Sequence, residues 1–198
     1  MSEIIDYSTL SDEELIFRFQ RDDYTAFNEL VNRYKDKLVN FLFRYTGDRD
    51  DAEDYAQDTF LKLYKSKHLY REIAKFSTWF YTIALNTVKT NIKKKSKYQT
   101  LSISDYDPEN DKDFDLPDES YNPDDIVNTN IEMEVIQEAI NSLNEIFKEV
   151  IILRDIEDLE YDEIAKITGL PLGTVKSRIN RGREKLKTIL IKKLKSTE

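Results

Sequence analysis

The 198-residue chain has no cysteine and a single histidine, His68. Disulfide bonds, thiolate catalysis and a zinc site made of Cys and His are therefore excluded. No stretch approaches the roughly eighteen uninterrupted apolar residues that would cross a membrane. The N-terminal residues do not place a basic region before an apolar run, which a signal peptide would need. These absences predict a cytoplasmic protein with no membrane insertion.

Glycine and proline are also scarce, with four of each, and three of the prolines fall between residues 108 and 123. Outside that stretch, apolar residues repeat every three or four positions, which is typical of helices that bury one face. The pattern predicts an all-α fold with two helical domains, residues 8–98 and 130–195. Residues 99–129 are rich in Asp, Glu and Pro and poor in apolar side chains. Such a composition does not offset the entropy of ordering, so these residues are predicted to form a flexible acidic linker.

Local signals predict where several helices begin and end. Ser11 and Glu14 have the spacing of a capping box at the start of the first helix. Gly47 is expected to end a long helix, since glycine accepts the left-handed backbone of a C-cap at low cost. Ser77 and Thr174 are predicted N-caps of two later helices, because their hydroxyls accept from the first turn.

Residues 161–187 have the pattern of a helix-turn-helix. Gly169 suits the turn, Pro171 prevents the first helix from continuing, and Ala165 is small enough for a sharp helix crossing. Val175 anchors a second helix, which in this motif enters the DNA major groove. An ordinary helical hairpin with a solvated basic face is the alternative. The outward positions of the second helix carry side chains that bind base edges and phosphates, namely Lys176, Ser177, Arg178, Asn180, Arg181 and Arg183.

The net charge of −9 argues against DNA binding, but the charges are unevenly distributed. Residues 89–97 and 176–195 are two basic blocks, whereas residues 105–125 are strongly acidic. This distribution predicts local contacts with DNA and poor DNA binding by the chain on its own.

The fourth predicted helix combines aromatic side chains with a lysine-rich end. Trp79, Phe80 and Tyr81 next to lysines would suit unpaired bases, which stack on aromatic faces while cations hold their phosphates. For Trp79 and Phe80 taken individually, the periodicity favours a place in the core over contact with bases. Asn86 both donates and accepts hydrogen bonds, so it could read an extruded base, or it could simply be solvated.

Three segments together resemble the sigma-70 family of RNA polymerase sigma factors, in its small extracytoplasmic-function (ECF) group. Residues 51–65, DAEDYAQDTFLKLYK, resemble the helix that binds core polymerase. Residues 76–95, FSTWFYTIALNTVKTNIKKK, resemble the reader of the −10 promoter element. Residues 153–186, LRDIEDLEYDEIAKITGLPLGTVKSRINRGREKL, resemble the reader of the −35 element.

The resemblance implies roles for particular residues. In the −10 reader, Asn86 would read a flipped base, Lys89 and Lys93 would hold phosphates, and Trp79 would lie beside the DNA. In the −35 reader, Lys176, Ser177, Asn180 and Arg181 fall on base-reading positions, with Arg178 and Arg183 on phosphates. The positions that would face the clamp helices of the polymerase β′ subunit are Asp54, Gln57 and Asp58.

The implied partners are core RNA polymerase, through its β′ clamp helices and β flap, promoter DNA, and an anti-sigma factor. The implied function requires no enzyme activity, no metal and no cofactor. Two other functions remain open on the residues alone. One is a stand-alone helix-turn-helix repressor or activator, which the net charge and the linker disfavour. The other is a metal-dependent nuclease or phosphodiesterase, which would need several acids converging on one cation.

Overall fold

The computed structural model describes residues 5–102 and 126–196, with side chains described for residues 5–95 and 133–193. Within these ranges the chain is helical and has no strand, so the predicted all-α class is confirmed. A π-helical turn, Ile152–Ile156, continues the sixth helix. The helices are α1 (Asp12–Gln20), α2 (Tyr24–Thr46), α3 (Arg49–Ser66), α4 (Phe76–Ser102), α5 (Ile126–Asn141), α6 (Glu145–Ile151), α7 (Tyr161–Thr168) and α8 (Leu172–Ser196).

The helix ends confirm part of the predicted capping. Ser11 and Glu14 form a reciprocal capping box, with the Glu14 amide 3.2 Å from Ser11 Oγ and the Ser11 amide 2.7 Å from Glu14 Oε2. Gly47 and Gly169 end α2 and α7 in the left-handed region, at φ values of 76° and 70°. Glycine has no Cβ to clash in that conformation, which explains its presence at both ends.

Two predicted N-caps are wrong, since Ser77 and Thr174 lie inside helices α4 and α8. The amide of Phe76 instead donates to Glu13 Oε1 of α1, at 2.9 Å, so a distant side chain caps α4. In α8 the Thr174 amide donates to the carbonyl of Pro171, at 2.8 Å. The fixed φ of proline already suits a first helical turn, so the helix starts earlier than the hydroxyl suggested.

Helices α1–α4 pack into one bundle and helices α5–α8 into a second. The first bundle has an aromatic centre in which Phe76 and Phe80 stack at 5.7 Å and Tyr34 meets Phe80 edge-on at 5.0 Å. In the second bundle Gly182 lets α8 approach α6 closely. A Cβ at this position would lie 2.8 Å from Cγ1 of Ile151, which is closer than real carbon atoms pack.

The two bundles also pack against each other, α4 against α7 and α2 against α5. Their buried apolar residues therefore form a continuous core. The ends of α4 and α5, at Ser102 and Ile126, fall inside the range predicted as a linker. The rest of that predicted linker, residues 103–125, lies outside the described residues.

Candidate nucleic-acid interface

The polar side of α3 gathers the three residues expected to meet polymerase. Asp54, Gln57 and Asp58 are exposed at helical spacings of three and four. They line a cavity of about 360 Å³ together with Leu61 and Asn91. Leu61 is 56% exposed, which is high for a leucine. An exposed apolar residue surrounded by acids is suited to a partner surface that is both cationic and apolar.

Helix α4 places Asn86 at the edge of a second cavity, of about 520 Å³. Asn86 and Lys93 are exposed, whereas Lys89 is half-buried. A cavity of this size falls in the range of small-molecule sites. Its lining combines apolar side chains with cations and hydrogen-bonding groups, contributed by Lys62, Lys65, Ser66, His68, Leu69, Ile83 and Asn86.

The aromatic residues of α4 have different environments. Phe80 and Tyr81 are buried, with exposures of 0% and 4%. The core position that the periodicity favoured for Phe80 is therefore confirmed, whereas the expectation that the face of Tyr81 accepts a base is wrong. They lie in the core because α4 packs against α2, α3 and α7. Trp79 is half-buried and packs against Tyr70, with ring centroids 5.4 Å apart.

The outer face of α8 presents a row of polar side chains, and the opposite face of the helix is anchored in the core. Val175 and Ile179 are fully buried beneath it, which sets the rotation of the helix. The predicted −35 residues that remain exposed are Lys176, Ser177, Asn180, Arg181 and Arg183.

Both arginines expected on phosphates have carboxylate partners in this structure. Arg183 Nε lies 3.1 Å from Asp155 Oδ2. Nη1 of the half-buried Arg178 lies 3.5 Å from Oε1 of Glu149. Lys89 of α4 pairs with the second oxygen of the same Glu149 carboxylate.

The sequence reasoning missed a set of glutamates in the second bundle that contact the first bundle. Glu149 contacts Lys89, and Tyr45 Oη donates to Glu145 at 3.0 Å. Glu149 directly precedes the apolar run at 150–153, and a carboxylate next to a buried helical segment was the one available signal. Further contacts of this kind join Tyr81 to Glu157, and Lys75 to Glu163 at 3.0 Å.

Burial at this interface changes the titration of its groups. It raises the pKa of the Glu157 carboxyl above its ordinary value, although the Tyr81 hydroxyl and Lys37 oppose the shift. Burial also raises the pKa of Tyr45 and Tyr81, and the adjacent carboxylates disfavour their phenolates further. Both tyrosines are therefore hydrogen-bond donors throughout the neutral pH range.

Neither a membrane-spanning helix nor a metal site emerges from the part of the chain that the structure describes. Within that part, no helix is long and apolar enough to cross a membrane. The same residues contain no group of three or more His, Cys, Asp or Glu side chains that could hold a metal ion.

Comparison with known proteins assigns families to both bundles. Residues 30–98 match the family Sigma-70 region 2, and residues 133–186 match Sigma-70, region 4. The ECF RNA polymerase sigma-E factor of Haemophilus influenzae is 37% identical over 177 residues, covering 88% of this chain and 93% of that protein. The sigma-E factor of Escherichia coli K12 is 35% identical over 176 residues, covering 88% and 92%.

Solved structures share the fold. CnrH, solved in complex with the cytosolic domain of CnrY, has a TM-score of 0.66 and 21% identity, covering 90% of this chain and 96% of that one. The sigma factor RpoE of Bartonella quintana, solved with the anti-sigma factor NepR, has a TM-score of 0.63 and 24% identity, covering 83% and 96%. With both regions present in order and the sigma-E factors matched over most of their length, the chain belongs to the sigma-70 family of RNA polymerase sigma factors, in its ECF group.

Proposed function

We propose that this sigma factor contacts promoter DNA and polymerase through three separate surfaces. The outer face of α8 reads the −35 element, the exposed side of α4 reads the −10 element, and the polar side of α3 binds core RNA polymerase. The exposed row of polar side chains on α8 is the observation that carries the proposal. It lies on the second helix of a helix-turn-helix. The buried Val175 and Ile179 fix which face of that helix points outward.

At the −35 element, Lys176, Ser177, Asn180 and Arg181 reach base edges in the major groove. Arginine and lysine donate to guanine, and asparagine pairs with adenine through two hydrogen bonds. Arg178 and Arg183 hold phosphates, which fix the position of α8 without reading sequence. Both arginines must first leave the carboxylates of Glu149 and Asp155.

At the −10 element, Asn86 reads one extruded base at the mouth of its cavity. Base extrusion costs a few kcal/mol, which contacts to the flipped base and its phosphates must offset. Lys89 and Lys93 supply the cations for those phosphates, and Trp79 offers the part of its ring that is not packed against Tyr70.

Polymerase binds the acidic surface that Asp54, Gln57 and Asp58 form on α3, through its β′ clamp helices, and the β flap contacts the second bundle. The function takes place in the cytoplasm and needs no catalytic residue or cofactor. An anti-sigma protein, of the kind named in the solved complex of RpoE with NepR, is a further partner.

Runoff transcription tests this proposal. Purified core enzyme is assayed with and without the chain, on genomic fragments and on one active fragment with its −35 or −10 bases changed. We expect defined start sites only when the chain is present, and loss of the signal when either element is changed. Unchanged start sites would contradict promoter recognition. Strong binding of the chain alone to duplex DNA at physiological salt, with no effect of core enzyme, would favour the stand-alone repressor or activator.

A further inference from the structure

The carboxylate of Glu149 is buried between two cations from different bundles. The residue is 5% exposed, which is unusual for a glutamate. One of its oxygens pairs with Lys89 of α4, and the other lies 3.5 Å from NH1 of Arg178 on α8. A buried carboxylate is costly unless cations or hydrogen bonds compensate it, so these two cations are what makes this position tolerable.

The same two cations are the ones the proposed function assigns to phosphates, Lys89 at the −10 element and Arg178 at the −35 element. A lysine ammonium in contact with a buried carboxylate is not available to a DNA phosphate. The pair therefore removes one cation from each proposed DNA surface at the same time. Glu149 thus gives both cations the negative charge that a DNA phosphate would give them.

Distance gives a second, independent argument. Lys89 and Arg178 contact the two oxygens of one carboxylate, so their nitrogens lie less than about 10 Å apart. Promoter elements separated by two duplex turns are about 70 Å apart, centre to centre. The arrangement in this structure thus cannot place α4 and α8 on both elements. The two bundles must separate before the chain engages a promoter.

We infer that Glu149 is an internal latch, which holds the free chain in a closed form by pairing with Lys89 across the two bundles. This inference rests on the proposed function for the roles of Lys89 and Arg178. Opening separates Lys89 from Glu149. Arg178 lies in the same bundle as Glu149, so its release from the carboxylate is a separate step that opening does not bring about. Other contacts at the interface, such as the hydrogen bond of Tyr45 with Glu145 and the ion pair of Lys75 with Glu163, do not involve the cations assigned to DNA. They add to closure but do not couple it to DNA.

Lysine acetylation measures the latch directly in the free, full-length chain. The protein is treated briefly with an amine-acetylating reagent, and the rate at each lysine is read by mass spectrometry. Lys93 lies one helical turn from Lys89 on α4 and is exposed, so it is the internal reference. We expect Lys89 to react roughly three- to tenfold more slowly than Lys93, as suits a paired and partly buried amine.

Glu149→Gln removes the charge and keeps the shape, so the rate at Lys89 should rise to that of Lys93. Asp162→Asn removes one charge from an exposed position of the same bundle and should leave the ratio unchanged. Glu149→Asp keeps the charge but shortens its reach, and should give an intermediate ratio. This third variant decides the question if Glu149→Gln does not fold, as judged by circular dichroism.

A distance measurement accompanies the chemistry. The chain has no cysteine, so dyes can be placed at Lys35→Cys on α2 and Lys187→Cys on α8 without removing other thiols. Energy transfer should be high in the labelled parent and lower with Glu149→Gln. Equal reactivity of Lys89 and Lys93 in the unmodified chain, or unchanged reactivity and energy transfer in the Glu149 variants, would overturn the latch. Runoff transcription by the unmodified chain separates the outcomes, since promoter-specific transcripts with no latch leave the proposed function intact.

Discussion

Replacing Gly182 by alanine should destabilise the chain because of one close helix contact. The new Cβ would lie 2.8 Å from Ile151 Cγ1 and 3.1 Å from Cδ1, and 3.4 Å from Phe147 Cβ. Carbon atoms prefer separations of about 3.5–4.0 Å. Ile151 is 1% exposed and β-branched, so it has neither space nor an easy rotamer change. Overpacking of this kind costs about 1–3 kcal/mol.

Part of that cost is offset, because alanine is a better helix former than glycine by up to about 1 kcal/mol. The expected net loss for Gly182→Ala is therefore about 1 kcal/mol of unfolding free energy. Gly173 is the matched control on the same helix. A Cβ there meets nothing within 4 Å, so Gly173→Ala should stabilise slightly. The difference between the two variants isolates the packing cost, since both receive the propensity gain.

Urea unfolding followed by circular dichroism at 222 nm gives both free energies. Gly182 lies between Arg181 and Arg183, so a displaced α8 should also weaken −35-dependent transcription. Equal stabilisation by the two alanine substitutions would refute the reasoning, because it would mean that a Cβ at residue 182 does not clash with α6. If Gly173→Ala lowered the stability instead, the assumption that alanine stabilises α8 through its higher helix propensity would be wrong.

Four further predictions address the proposed surfaces and the interface. Arg181→Ala should lower transcription from a matched −35 element about tenfold, the effect of one good base contact, with polymerase binding retained in a pull-down; equal activity on matched and mismatched elements in the unmodified chain would exclude base reading. Asn86→Ala should change the preferred base at one −10 position in a competition of promoter variants, and an unaltered preference would remove Asn86 from that role. Asp58→Arg should reduce co-purification with core polymerase, and unchanged recovery would remove this carboxylate from the contact. Above pH 10, the ordinary pKa of tyrosine, stability should fall, because the raised pKa values of Tyr45 and Tyr81 keep the folded chain protonated while the unfolded chain ionises. Absorbance at 295 nm should show those phenolates only as helicity is lost, and full ionisation of all twelve tyrosines with helicity intact would contradict this.

Much of the fold followed from local patterns. Apolar repeats predicted the helices, and the residues at 11–14, 47 and 169 marked ends that the structure has. These signals are readable because helix faces and caps involve residues within one or two turns of each other. The same reasoning placed the polar row of α8 outward, since Val175 and Ile179 had to face the core.

Aromatic residues on α4 were harder to assign from sequence. Periodicity favoured the core for Phe80 but left a base-stacking surface open, and Tyr81 was assigned to that surface, because periodicity does not say how many neighbours a helix has. Helix α4 contacts neighbours on several sides, α2, α3 and α7 among them, so both residues became buried. Only the number of packed neighbours separated the two interpretations.

The sequence by itself determined the all-α class, the helix-turn-helix and the polar faces of α3, α4 and α8. Only the tertiary structure decided which distant groups meet. Glu13 caps the helix that begins at Phe76, α8 passes close to Ile151 at Gly182, and Lys89 and Arg178 share the carboxylate of Glu149. The physical reason is distance along the chain. Glu13 and Phe76 are 63 residues apart, and no sequence pattern around either residue predicts that they meet. The partners of a charged side chain or of a glycine in a helix contact depend on which helices lie next to it, and these neighbours are set only when the helices pack.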